Sequence, residues 1–317
     1  MGTTTFNRRQ FFQAGAAGLA AAGIPAAGSA QEAAPARYQD GASPFPLVLN
    51  ASTIRPTPLK DKIRVADETG YDGIELWVRE LEEYEKAGGN LKELGQELRE
   101  RGLSVPNVIG LWDTIPPTQE EWDAILPTSR ERMRMCADVG SKHVAALPFP
   151  DRDPFEHRWG AARYADLLKI GKEEYNIIPA LEFVGFVKGV NRLGFASGMA
   201  IDTNDPDACI IADTFHLWRG GSGFNGVRHL QGRFFADFHW NDVGPEADPN
   251  TAGDADRIYP GDGIFPLVDV LKQLAEIKYT GPLSLELFNR THWEMDPAEV
   301  AATGLEKMKA NVKAAGI

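Results

Sequence analysis

The chain has 317 residues, with 45 acidic and 33 basic side chains and a net charge of −12. That balance excludes sequence-independent nucleic-acid binding, which rests on Lys and Arg neutralising phosphates, and the length suits one large domain of the α/β-barrel kind. The two cysteines, Cys136 and Cys209, lack metal-ligand spacing, so they read as small buried hydrophobes and imply no disulfide framework.

The N-terminus reads as a targeting segment. Asn7–Phe12 is N-R-R-Q-F-F, followed by an Ala/Gly-rich, weakly apolar stretch to Ala27 and by small residues, Gly28-Ser29-Ala30. Paired arginines ahead of a mild hydrophobic core resemble a twin-arginine export signal, with cleavage expected near Ala30. The stretch is too short and too rich in glycine for a permanent membrane span. Residues 1–30 are therefore expected to be the signal, 31–43 a flexible tether and 44–317 the folded domain, carried to the periplasm or another extracytoplasmic space.

From Pro44 strands and helices alternate. Leu47–Asn50 is a first strand and Pro58–Thr69 a helix closed by Gly70. Gly73–Val78 is a second strand, Leu91–Arg101 a helix, Ser104–Gly110 a third strand and Glu120–Val139 a helix ending at Gly140. His143–Leu147 is a fourth strand and Arg158–Glu174 a helix. The next strands end at Glu182, Asp213, His239 and Glu286, with helices expected over Val190–Thr203, Gly221–Gln231, Pro266–Ile277 and Pro297–Ala315. Eight such alternations predict a single-domain (β/α)8 TIM barrel.

The last four strands carry the chemistry. Ile177–Leu181 runs into Glu182, Ala208–Ala212 into Asp213, Phe234–Phe238 into His239 and Pro282–Leu285 into Glu286. Ending a buried strand on an ionisable group is costly unless something binds there, and barrel sites lie at these strand ends. Two Glu, one Asp and one His suit one divalent cation, with Mn²⁺ favoured and Mg²⁺, Co²⁺ or Zn²⁺ admissible. His216 follows Asp213 by three residues and falls at the rim. Arg257 lies in R-I-Y-P-G-D-G, where Gly261 and Gly263 let a loop approach a ligand closely, and it can meet an oxygen gaining negative charge. Trp77, Trp112, Trp218 and Trp240 fall at or past strand ends, as apolar faces for a sugar ring or as a hydrophobic collar.

L-E-F-V-G-F at Leu181–Phe186, D-T-F-H at Asp213–His216, H-W-N-D at His239–Asp242, R-I-Y-P-G-D-G at Arg257–Gly263 and L-E-L-F at Leu285–Phe288 together resemble the sugar phosphate isomerase/epimerase superfamily. This xylose isomerase-like barrel group includes D-tagatose 3-epimerase, inosose dehydratase and endonuclease IV, and the likeness runs from about Pro44 to Ala315. The resemblance implies that Glu182, Asp213, His239 and Glu286 bind one metal, and that Glu182 and Glu286 act as acid and base on opposite faces of a sugar. It also implies that His216 and Arg257 contact substrate oxygens. Where the ketose epimerases carry a further sugar-binding glutamate, six residues after the first ligand, this chain has Lys188. Glu75 and Trp112 complete the expected substrate-binding set. Endonuclease IV needs extra histidines and a D-x-H element, which are missing here.

A cation chelating a carbonyl and a neighbouring hydroxyl supports proton abstraction through an enediolate. The same residues serve a sugar isomerase or epimerase, or a dehydratase or lyase acting on a keto-sugar or 3-keto-glycoside. A barrel that only binds metal and sugar is the non-enzymatic alternative. The expected partner is a small-molecule sugar or keto-sugar, and a homo-oligomer is compatible with the pattern.

Overall fold

A computed structural model describes residues 41, 43–148 and 156–317. The signal and almost all of the tether expected from the sequence lie outside the described residues. Ser43, placed at the tether's end, is buried, and its hydroxyl bonds to the Phe45 backbone.

Eight parallel strands close a barrel. They are β1 (Leu47–Asn50), β2 (Gly73–Trp77), β3 (Asn107–Leu111), β4 (His143–Ala146), β5 (Ile178–Glu182), β6 (Ile210–Asp213), β7 (Phe235–Trp240) and, after a short antiparallel pair β8 (Asp242–Val243) and β9 (Arg257–Ile258), β10 (Leu283–Leu285). The barrel closes where Leu47, Val48 and Leu49 pair with Leu283, Ser284 and Leu285. Strands covered on both faces are apolar almost throughout, which is why they stand out in the sequence as continuous runs.

The outer layer holds α1 (Leu59–Thr69), α2 (Val78–Lys86), α3 (Leu91–Glu100), α4 (Gln119–Asp138), α5 (His157–Ile170), α6 (Leu193–Asp202), α7 (Thr214–Arg219), α8 (Leu267–Glu276) and α9 (Pro297–Ala315). Their ends follow local chemistry. Asp296 caps α9 by accepting from the Ala298 and Glu299 amides, Pro297 sits in its first turn, and Gly316 closes it with φ 67°. Thr118 caps α4, which runs on through Pro127.

Three elements depart from the sequence reading. Val78 opens α2, because R-E-L-E-E-Y-E-K is a strong helix former whose Leu81 is buried. The helix expected over Gly221–Gln231 gives way to α7, a turn with Gly221 and Gly223 at φ 72° and 62°, and a 3₁₀ segment over Asn225–His229. Positive φ at two glycines interrupts a helix that composition alone allowed. The hairpin β8–β9 was not anticipated.

One apolar layer lies between strands and helices, and a smaller cluster including Ile109, Ala145, Ala180 and Ile211 packs beneath Trp77 and Trp112. Both cysteines are free and buried, and burial pushes the Cys209 thiol up to about 12. Among the described residues no helix is long and apolar enough to cross a membrane.

Candidate metal centre and active site

β5, β6 and β7 deliver Glu182, Asp213 and His239, and Glu286 directly follows β10. Each offers one donor atom, and the four atoms lie within 4.8 Å of one another. His239 Nδ1 stands 3.1 Å from Glu286 Oε2, 3.4 Å from Glu182 Oε1 and 3.6 Å from Asp213 Oδ2, yet it has no hydrogen-bond partner. A fully buried ring nitrogen facing three carboxylates in this way is arranged for a cation.

The other side of the imidazole fixes it. His239 Nε2 lies 3.1 Å from Glu75 Oε1. Glu75 also accepts from the Asn50 and Asn107 amides and the Ser284 hydroxyl, each at 2.6 Å. A carboxylate there places the ring proton on Nε2 and leaves the Nδ1 lone pair for a cation, the usual support behind a metal-binding histidine. Burial opposes charging His239, but Glu286 and then Glu75 outweigh it and hold the imidazole well above its ordinary range. Without a cation the cluster therefore favours a proton on the ring, and a bound cation takes the place of that charge.

The carboxylates differ. Burial, with Glu286 and Asp213 nearby, raises Glu182 to about 7 even against the pull of His239. Burial also works against ionised Asp213, but Arg257, His216 and His239 prevail and hold it below the usual carboxylate range. Arg257, brought in by β9 and 1% exposed, donates from Nη1 to Asp213 Oδ2 at 2.7 Å and Glu286 Oε2 at 2.6 Å. Its Nη2 donates to Asp254 Oδ1 at 2.8 Å and stands 3.2 Å from His216 Nε2. Burial lowers His216 to about 4, so its ring is neutral at pH 7, and a guanidinium facing Nε2 leaves the proton on Nδ1.

The cluster forms the base of a cavity of about 460 Å³. Glu182 and Glu286 line it, as do His216, Arg257 and Asp254, whereas Asp213 and His239 are fully buried beneath. Two of the four candidate cation donors thus also face the open cavity, and two lie buried beneath it.

A model of the xylose isomerase-like TIM barrel family matches residues 63–311. The chain belongs to that family. This xylose isomerase-like barrel is 25% identical over 267 residues to the inosose isomerase of Bacillus velezensis, covering 83% of this chain and 95% of the relative. It superposes on the crystal structure of the IOLI protein with a bound zinc atom at a TM-score of 0.78, with 24% identity over 84% of this chain and 98% of the other. The 3-keto-D-glucoside 4-epimerase YcjR from E. coli superposes at 0.66, with 18% identity, covering 84% and 99%.

Other expected site residues of this family barrel fall in different places. Glu75 is not on the cavity wall; it lies fully buried behind His239, with its oxygens engaged by the groups named above. Lys188 is exposed on the segment after β5 and is not part of the wall, although its neighbour Val187 is. Trp112 lines the cavity with Trp77, their ring centroids 5.6 Å apart. Trp218 packs instead on Phe215 and Phe265, and buried Trp240 donates to Asn311, so these two belong to the collar. Gly261 and Gly263 bring their loop close to Asp242 rather than to a ligand: Asp242 accepts from the backbone amides of Gly261, Gly263 and Phe265. A Cβ on Gly263 would stand 2.0 Å from the Val243 carbonyl oxygen.

Sequence reasoning missed Asn50, which donates to both Glu75 and Glu286, and Asn241, which donates to Asp213 Oδ1 at 3.0 Å. Asn50 ends its strand as the four ligands end theirs, and that was a usable signal. It also missed Asp237, buried beside Glu75 and His239, where burial and the Glu75 charge hold its carboxyl well above the ordinary carboxylate range.

Proposed function

We propose that the chain is a divalent-metal-dependent sugar isomerase or epimerase. The carrying observation is that Glu182 of β5 and Glu286 after β10, the two outer strands of the β10-β7-β6-β5 run, both approach His239 Nδ1 while both line the cavity. Glu182, Asp213, His239 and Glu286 would hold one ion, which supplies a Lewis acid for a carbonyl and an adjacent hydroxyl. Three carboxylates in four donors favour Mn²⁺; the zinc in the related IOLI structure supports the divalent class.

The chain's own groups divide the proton work. Glu182, which burial and its acidic neighbours raise to about 7 in the metal-free cluster, removes the proton beside the carbonyl. Glu286, anchored by Arg257 and Asn50, returns a proton at the opposite face. Arg257 and the Nδ1–H of His216, which has no partner among the described residues, donate to the oxygen gaining charge. Trp77 and Trp112 offer flat faces to the ring's C–H groups. The names of the relatives, an inosose isomerase and a 3-keto-glucoside epimerase, support carbonyl-adjacent chemistry.

Solvent isotope tests this. In D₂O the metal-loaded protein is expected to place deuterium on the carbon beside the carbonyl of a keto-sugar. An epimerase returns a diastereomer, whereas a dehydratase or lyase releases water or an aglycone. Sugar binding without carbon-bound exchange across a panel of ketoses and keto-glycosides transfers the reading to a binding protein.

We propose further that Arg8 and Arg9 direct export of the folded chain, with cleavage near Ala30. Changing both to Lys is expected to leave full-length precursor in the cytoplasm. Recovery of the unaltered protein from its host's cytoplasm with residues 1–30 attached would refute export.

A further inference from the structure

A second cavity, of about 560 Å³, opens on the same barrel face between the segments that follow β1 and β2. It shares Arg55 and Trp77 with the wall of the metal cavity. Either volume alone is of the order that holds a small ligand, roughly 300–1,000 Å³, so the two together exceed what one sugar ring needs.

Arg55 decides what the second cavity suits. Its guanidinium carbon stands 4.5 Å from the Trp77 ring centroid, 5.1 Å from Phe288 and 5.7 Å from Trp293. The rings are themselves pinned: Trp77 Nε1 donates to Asn50 Oδ1 at 3.1 Å, and Trp293 Nε1 to the Ser52 carbonyl at 2.9 Å. A guanidinium held against aromatic faces keeps its in-plane donors free and loses little freedom on meeting a planar anion. The Arg55 backbone amide donates to the Ser52 carbonyl at 3.3 Å, but no hydrogen bond or ion pair involves its guanidinium among the described residues.

The surrounding charges agree. Lys60 and Lys62 on this wall are neutralised by Glu97 and Glu80, while Arg79 on the same wall and Arg290 on the metal-cavity wall have no ion-pair partner among the described residues. Glu83 is the opposing carboxylate on the wall, so Arg55 and Arg79 leave one arginine in excess there, and Arg290 adds charge from the neighbouring wall. This basic mouth stands on a chain of net charge −12. Phe288 joins it to the chemistry, since Arg257 also lies 5.1 Å from that ring's centroid.

We propose that the second cavity is an anion subsite, which takes the carboxylate or phosphate of a substrate whose keto-sugar end occupies the metal cavity. The proposal rests on the sugar reading above and narrows its substrate class to acidic sugars or sugar phosphates. Arg55 supplies a two-pronged donor to the anion, and Arg79 adds charge from the same wall.

Calorimetric binding to the full-length, metal-loaded protein at low salt tests it, comparing D-fructose with D-fructose 6-phosphate and D-glucose with D-glucuronate. At least one charged sugar is expected to bind about 10- to 100-fold more tightly than its neutral partner, the range for a charged hydrogen-bonding group. Arg55→Met should bring that ratio towards one, Arg79→Met should lower it partway, and added salt should shrink it. Because Arg55 also borders the metal cavity, the charged-to-neutral ratio within each variant is the readout, and unchanged metal content by elemental analysis reports that the metal centre is intact. Which charged sugar gains identifies phosphate or carboxylate as the ligand. Equal affinity for charged and neutral sugars, or a ratio indifferent to Arg55→Met, overturns the subsite and leaves the sugar reading standing. Binding of neither kind overturns both.

Discussion

Changing Asp213 to Asn and Glu286 to Gln together is expected to abolish retention of a divalent ion. The two changes reduce three carboxylate donors to one and also replace the two carboxylate acceptors of Arg257 Nη1 with neutral amides. Hard divalent ions bind through ionised oxygen, and an amide oxygen offers only a weak dipole in its place. Elemental analysis of protein purified without chelator reads the result; stoichiometric metal in the double variant would rule the centre out. Uptake should also depend on pH. With Glu182 raised to about 7 and the ring of His239 holding a proton, protons compete directly with the ion. Affinity therefore falls as pH drops through about 7. The metal-free protein should respond the opposite way through Glu182. A carboxyl raised above its ordinary value of 4.5 favours the fold below that value, and its contribution is lost as pH rises towards 7. The increase in melting temperature on adding metal should accordingly grow from pH 5 to pH 8.

The barrel was legible because parallel strands covered on both faces must be apolar, so their ends stand out wherever a polar residue interrupts the run. That contrast located Glu182, Asp213, His239 and Glu286 without any knowledge of which side chains meet. It could not show depth. Glu75 and Glu182 both lie on strands, but Glu75 sits within β2 and Glu182 at the end of β5, and one lies behind the imidazole while the other faces the cavity. The tryptophans divide for a related reason. Trp77 and Trp112 lean over the barrel mouth, whereas Trp240 faces α9 and Asn311. Direction depends on register and pleat, which spacing along one strand leaves open.

Polar partners were harder to find. Asn50 and Asn241 carry no charge and belong to no metal-ligand pattern, yet each touches a ligand carboxylate. Their roles arise from contacts across 236 and 28 residues of chain, the first made where β1 and β10 close the barrel and the second where β6 pairs with β7. The hairpin β8–β9 hid for another reason. It is two residues per strand and is held largely by Asp242, whose carboxylate gathers the amides of Gly261, Gly263 and Phe265. A side chain organising backbone in this way leaves no hydrophobic period to read. The sequence nevertheless singled out Arg257, which that hairpin carries.

Arg257→Ala should cost about 10²–10³ in turnover at saturating metal, or about 2.7–4 kcal/mol, the scale seen when an oxyanion donor is removed. Two roles compete for this residue. Nη1 pairs with Asp213 and Glu286, so one proposed role is to hold these carboxylates; the same guanidinium lines the cavity, so the other is to meet the oxygen that gains charge. Metal saturation separates them. If Arg257 only supported the ligands, the ion would partly replace its charge, and excess metal would restore exchange of the carbon-bound hydrogen in D₂O. If it also stabilises the developing oxyanion, the exchange rate stays low with the ion fully bound. Arg257→Lys sharpens the contrast: it keeps a positive charge beside the carboxylates but loses the fork that reaches His216 and Asp254 at the same time. Metal content near that of the unaltered protein, with exchange still depressed at least tenfold, is the outcome expected of the lysine variant. Full recovery on adding metal to the alanine variant would remove Arg257 from the chemistry and leave it a positioning residue.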